Sequence, residues 1–136
     1  MLKKNKGFTL IEIIVTVIII GILVTIAIPN YVRSAERARS AQAVETLKNM
    51  RTAAINYYTE NDTWTGVDRD TLATEAGANF DDNTDWTYTA SGTDSTVTLT
   101  ANRQRGHWAG RSITLDQDEN WSDPSSGYPW DDAGAF

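Results

Sequence analysis

The chain starts polar and basic and turns sharply apolar at Phe8. From Phe8 to Ile28 it is dominated by Ile, Leu and Val, and Thr9, Glu12, Thr16, Gly21 and Thr25 interrupt the run. At 1.5 Å per residue a helix of that length is about enough to cross a hydrocarbon core of ~30 Å. Lys3, Lys4 and Lys6 precede the run, which places its N-terminal end on the cytoplasmic side. The pattern then becomes amphipathic. Val44, Leu47, Met50, Ala54 and Tyr58 recur at helical steps and form one apolar stripe. Arg33, Glu36, Arg37, Glu45, Lys48 and Arg51 fall on the other face and are expected in solvent. The prediction is one helix from Phe8 to about Thr59. Unbroken, it would be ~80 Å long, too long for a domain of this size to cover, so lipid or other subunits must bury half of it.

After Asn61 the period changes again. Asn61 to Asp85 is polar and reads as a loop with one short helix near Thr71 to Glu75. Trp86, Tyr88 and Ala90, then Val97, Leu99 and Ala101, then Ile113 and Leu115 alternate with polar residues, the signature of half-buried strands. Gly92-Thr93-Asp94 is expected to turn the first pair into a hairpin. From Trp121 onward Pro124, Gly127, Pro129 and Gly134 predict an irregular segment lying back on the sheet. The expected class is α+β: a long N-terminal helix with its apolar half protruding, packed by its C-terminal half against three or four antiparallel strands. Four segments follow from this: 1–7 as a leader, 8–29 as the apolar helix, 30–60 as the amphipathic helix, and 61–136 as loop, sheet and C-terminal loop.

Glu12 is the anomaly in the apolar run. A charge held at the centre of a bilayer costs at least ~2.5 kcal/mol, so one that is kept there implies a partner. A cleaved secretory signal would end in a small-residue cleavage site, whereas here the apolar run is followed by IPNYVRSAERARSAQAVETL, which continues as helix. A plain signal anchor tethering a small periplasmic domain accounts for the length but leaves Glu12 unexplained. Pro29 removes a backbone donor, and with Gly21 it brackets the stretch expected to bend or loosen.

GFTLIE, the apolar run with Gly21, and Ile28-Pro29 together resemble the N-terminal signature of type IV pilins and the related type II secretion pseudopilins. The resemblance covers about the first quarter of the chain. It implies cleavage between Gly7 and Phe8 by a prepilin peptidase and N-methylation of Phe8. It also implies that Glu12 pairs with the Phe8 amine of a neighbouring subunit, which favours docking in register because an unpaired charge in low dielectric is expensive. The implied partners are further copies of the chain, the peptidase, the assembly platform and its ATPase. The cytoplasmic membrane would hold the precursor, and the filament would then lie outside the cell. The function implied is the major subunit of a type IV pilus. The alternatives are a type II secretion pseudopilin, or a minor, DNA-uptake or adhesive pilin.

Twelve basic and 18 acidic residues give the whole chain a net charge of −6. Loss of the three leader lysines would take the side-chain balance to −9. Such an acidic chain argues against a direct electrostatic grip on nucleic acid, although Arg103, Arg105 and Arg111 cluster around His107 and Trp108. The expected setting of that cluster is a solvated loop or strand edge. There is no cysteine, which excludes thiol catalysis and thiolate metal sites. Many similar pilins close a C-terminal loop with a disulfide, and Trp108 stands where a cysteine often falls in them. Tryptophan packing or a bound ion is expected in its place. Asp116, Asp118, Asn120 and the nearby Asp123 offer alternating oxygen ligands, as at the start of a calcium loop. The glycine and bidentate glutamate of a full calcium loop are missing, so a polar turn after a strand is the plainer reading and calcium the alternative. No serine sits in a nucleophile-elbow pattern, and no phosphate or dinucleotide loop appears, so an enzyme is not expected.

Overall fold

The computed structural model describes residues 7–106 and 108–122. The order is α1 (Leu10–Asn61), α2 (Arg69–Ala76), β1 (Trp86–Gly92), β2 (Val97–Arg103), β3 (Ser112–Asp116) and β4 (Trp121–Ser122). The leader lysines, His107, and the residues from Asp123 onward, Trp130 among them, lie outside the described residues. The chain divides into two compact units, residues 1–35 and 36–136.

In the first unit the described residues are almost wholly helical, and the apolar side chains of the run are exposed from Phe8 to Ile28. The helix assignment continues through both Gly21 and Pro29. The threonines that interrupt the run lose no hydrogen bond to lipid. Thr16 Oγ1 donates to Glu12 O and Thr25 Oγ1 to Ile22 O, each at 2.6 Å.

The second unit is the head, a four-stranded antiparallel sheet in the order β1-β2-β3-β4 with helix against its buried face. Alternation set the register. Leu99 lies opposite Ala90 on one side and Leu115 on the other, and Ala101 lies opposite Tyr88 and Ile113. Those inward residues meet Leu47, Met50, Ala53 and Ala54 of α1 in one core, which Trp64, Trp86 and Leu72 complete. The outward positions of β1 and β2 are Thr87, Thr89, Ser91, Thr98, Thr100 and Asn102, whose small polar side chains suit a solvated sheet face. Tyr58, expected in the apolar stripe, is exposed and stacks on Trp64 with ring centroids 4.5 Å apart.

Local chemistry sets the ends of the elements. α1 stops where Asp62 adopts φ 56° and its N–H donates to Tyr58 O, a left-handed cap on a non-glycine residue. α2 begins two residues before the expected Thr71, because the Asp68 carboxylate caps it by accepting from Thr71 N at 2.7 Å. That backbone bond holds the Asp68 carboxyl below the usual carboxylate range. Gly77, at φ 56°, closes the helix. Gly92 ends β1 against the 64–67 loop, where its N–H donates to Val67 O. A Cβ on Gly92 would lie 1.9 Å from Trp64 O, so only glycine fits.

Candidate functional site

The residues expected to govern processing and assembly are all exposed. Gly7 has no neighbour against which a side chain would press, and Phe8 is 83% exposed. Glu12 has a local partner. Its Oε2 accepts from Thr9 N at 3.1 Å and from Thr9 Oγ1 at 3.2 Å, while Glu12 N donates to Thr9 Oγ1 at 3.3 Å. This reciprocal pair is a capping box: the threonine satisfies one of the free N–H groups at the helix start and the glutamate satisfies the N–H of the cap. The anionic side chain also lies at the positive end of the helix dipole. A plain anchor therefore does not leave Glu12 unexplained, contrary to expectation. The signal was present as Thr9-Leu10-Ile11-Glu12 directly before an apolar run. A cut between Gly7 and Phe8 would leave the Thr9 amide, and with it the box, intact.

The arginine cluster does not form a surface stripe. Arg103, expected in a solvated loop or edge, is 2% exposed at the end of β2. Its Nη2 donates to both carboxylate oxygens of Glu36, at 3.0 and 3.1 Å, and its Nη1 pairs with Asp85 Oδ1 at 2.9 Å. Arg39 pairs with Glu36 and with Asp85, which closes a ring of two cations and two anions. The Arg103 guanidinium lies 5.4 Å from the centroid of Trp86, whose Nε1 donates to Arg39 O. Glu36, expected on the solvated face of the helix, is therefore buried, at 4% exposure. Burial of a carboxylate is tolerable here because two guanidinium groups accompany it. Arg105 and Arg111 are exposed, and Trp108 packs half-buried against the core. Arg103 faces inward, so the three arginines do not share one face for a polyanion.

The proposed calcium residues form a closed turn. Asp116 Oδ1 accepts from Asp118 N at 2.9 Å and Asn120 N at 2.8 Å, and its Oδ2 accepts from Asn120 Nδ2 at 2.8 Å. Burial raises the Asp116 pKa, but these hydrogen bonds outweigh it and hold the carboxyl below its ordinary value. Gln117 Oε1 accepts from Val97 N, and Gln117 O accepts two bonds from the Arg51 guanidinium. Lys48 lies 5.9 Å over the ring of Trp121. Arg51, expected in solvent, is therefore half-buried and holds the β3–β4 turn, while Lys48 stays exposed, as expected. Asp123, the fourth proposed ligand, lies outside the described residues. Among the described residues no three acidic or histidine side chains gather as a metal site.

Comparison with known proteins bears on both units. Residues 2–28 match the model of the prokaryotic N-terminal methylation motif, and residues 36–134 match that of pilin, the bacterial filament protein. A stretch of 59 residues is 44% identical to the type IV major pilin protein PilA of Myxococcus xanthus, covering 43% of this chain and 27% of that one. Another of 53 residues is 47% identical to a fimbrial protein of Pseudomonas aeruginosa, covering 39% of this chain and 34% of that one. The type IV major pilin protein PilE1 of Neisseria gonorrhoeae is 35% identical over 60 residues, covering 44% of this chain and 36% of that one. The chain thus spans between about a quarter and just over a third of the length of these relatives. No solved structure matches it at a significant level. The methylation motif on the apolar helix and the pilin match across the head, together well over half of the sequence, show that the chain belongs to the pilin family.

Proposed function

We propose that the chain is the major subunit of a type IV pilus, a structural protein without enzymatic activity. One observation carries this reading best: a helix with an exposed apolar surface from Phe8 to Ile28 bears a single carboxylate, at the fifth residue after the Gly7–Phe8 junction. That surface is exposed among the described residues, so lipid would cover it before assembly and neighbouring copies afterwards. The precursor would sit in the cytoplasmic membrane with its lysines inside. A peptidase would cut after Gly7, and the new Phe8 amine would be methylated. In the filament Glu12 would turn from its own Thr9 to the Phe8 amine of a neighbour, exchanging a neutral donor for a charged one. Platform and motor proteins would drive that exchange. Nucleic-acid uptake is the weaker reading because Arg103 is spent inside the head.

Electron microscopy of filaments sheared from cells, with mass spectrometry of their main component, tests the proposal. Long thin fibres built mainly from this chain, starting at a methylated Phe8, are the expected result. A processed chain that stays in the membrane fraction would point instead to a pseudopilin or minor subunit. A chain that keeps its leader there would overturn the pilus reading.

A further inference from the structure

The ring of Glu36, Arg39, Asp85 and Arg103 sits at a particular place along α1. Upstream of it, from Leu10 to Ser34, every helical residue is exposed, so helical hydrogen bonds are all that hold that stretch. Pro29 weakens those bonds further: it has no N–H for the carbonyl four residues back, and its ring crowds that turn. A helix opens readily from such a point, because disrupting neighbouring turns releases no buried surface. The division between the two compact units falls just after Ala35, and Glu36 is the next residue.

At Glu36 the cost of opening changes in kind. Uncoiling the turn from Glu36 to Ser40 would draw the Glu36 carboxylate away from Arg103, whose side chain is 1% exposed, and leave that buried guanidinium with the Asp85 carboxylate but without its bidentate partner. The backbone of the same turn is also secured from outside the helix: Trp86 Nε1 bonds Arg39 O. The buried Ser40 hydroxyl bonds Glu36 O from within the turn. Three points of one helical turn are thus tied, two of them to β1, β2 and the loop before them. A long amphipathic helix needs no buried charge for its packing, since apolar residues of the same size pack at least as well. What a charged ring adds is a fixed position.

We infer that the ring is a stop on helix opening: loosening that begins around Pro29 ends at Glu36 and does not run into the head. Arg103 is its positioning residue and acts through Glu36. The turns next to Pro29 can then open while the sheet and its outer face stay unaltered.

Amide hydrogen exchange, read by NMR on the full chain in detergent, tests this. In the unaltered chain, protection is expected to rise about a hundredfold between residues 30–35 and residues 36–43. A smooth gradient with no step there overturns the inference. Two variants locate the cause. Arg103→Met removes the cation at nearly constant shape, and Glu36→Gln removes the charge with milder risk to folding. In each folded variant, residues 36–43 are expected to exchange about tenfold faster while Leu99 and Ala101 of β2 change less than about threefold. Equal acceleration of the helix and the strand would show only general stabilisation and would overturn the inference, as would no change in either. If Arg103→Met does not fold, Glu36→Gln decides the matter.

Discussion

The apolar part of α1 and the head treat their polar groups in opposite ways. Between Phe8 and Ile28 every polar side chain is satisfied within four residues: Thr9 and Glu12 by each other, Thr16 and Thr25 by the helix backbone. Nothing in that stretch depends on a distant residue, so it can pass between environments with its hydrogen bonds intact. The head does the reverse. Arg103 reaches Glu36 across 67 positions, Arg51 reaches Gln117 across 66, and Trp86 reaches Arg39 across 47. These three long-range bonds form only when the head is folded. One half is therefore portable and the other committed, and substitutions in the two halves should have different consequences.

The largest effect is expected at Gly92. Gly92→Ala drives a Cβ into Trp64 O and should destabilise the head by about 4 kcal/mol or more, seen as a collapse of its thermal transition. Leu99→Ala empties a fully buried position and should cost about 3 kcal/mol by the same measurement. Glu12→Ala sharpens the contrast from the other side. It should leave the head transition unmoved and cleavage after Gly7 intact, yet abolish filaments in shearing assays. Normal filaments from that variant would refute the partner exchange. Thr9→Ala removes only the local cap and should cost about 1 kcal/mol of helix stability, visible as faster exchange in the first turn. The smallest effect concerns acid. Because the folded Asp116 carboxyl lies below its usual range, it adds stability above the ordinary value near 3.8 and loses it as pH falls through the lower folded value. The unaltered head should therefore lose more thermal stability between pH 5 and pH 2 than Asp116→Asn does, and equal slopes would contradict the assignment.

The same contrast explains which features the sequence disclosed. The strands were legible because Trp86-Thr87-Tyr88 and Val97-Thr98-Leu99 alternate, and a period of two has one structural meaning when turns flank it. The apolar helix was legible from its length alone. Glu36 was misplaced because a carboxylate beside Arg37 on an amphipathic helix looks solvated. Its real partner lies far along the chain, where no local pattern points to it. Arg51 was misplaced for the same reason. Thr9 was a different kind of miss: the capping pattern is local and complete, but a carboxylate inside an apolar run points first to an intermolecular partner, and the intramolecular one lies three residues away.

The Thr9–Glu12 box bears on dismantling as much as on building. If Glu12 had no resting partner, a subunit withdrawn from a filament would return a bare carboxylate to lipid, and each withdrawal would work against that penalty. On the proposed function, with the box available, a departing subunit would re-form its own cap and re-enter the membrane as it left it. The same copy would then be fit for reuse, and such a filament could lengthen and shorten from a standing reserve of subunits.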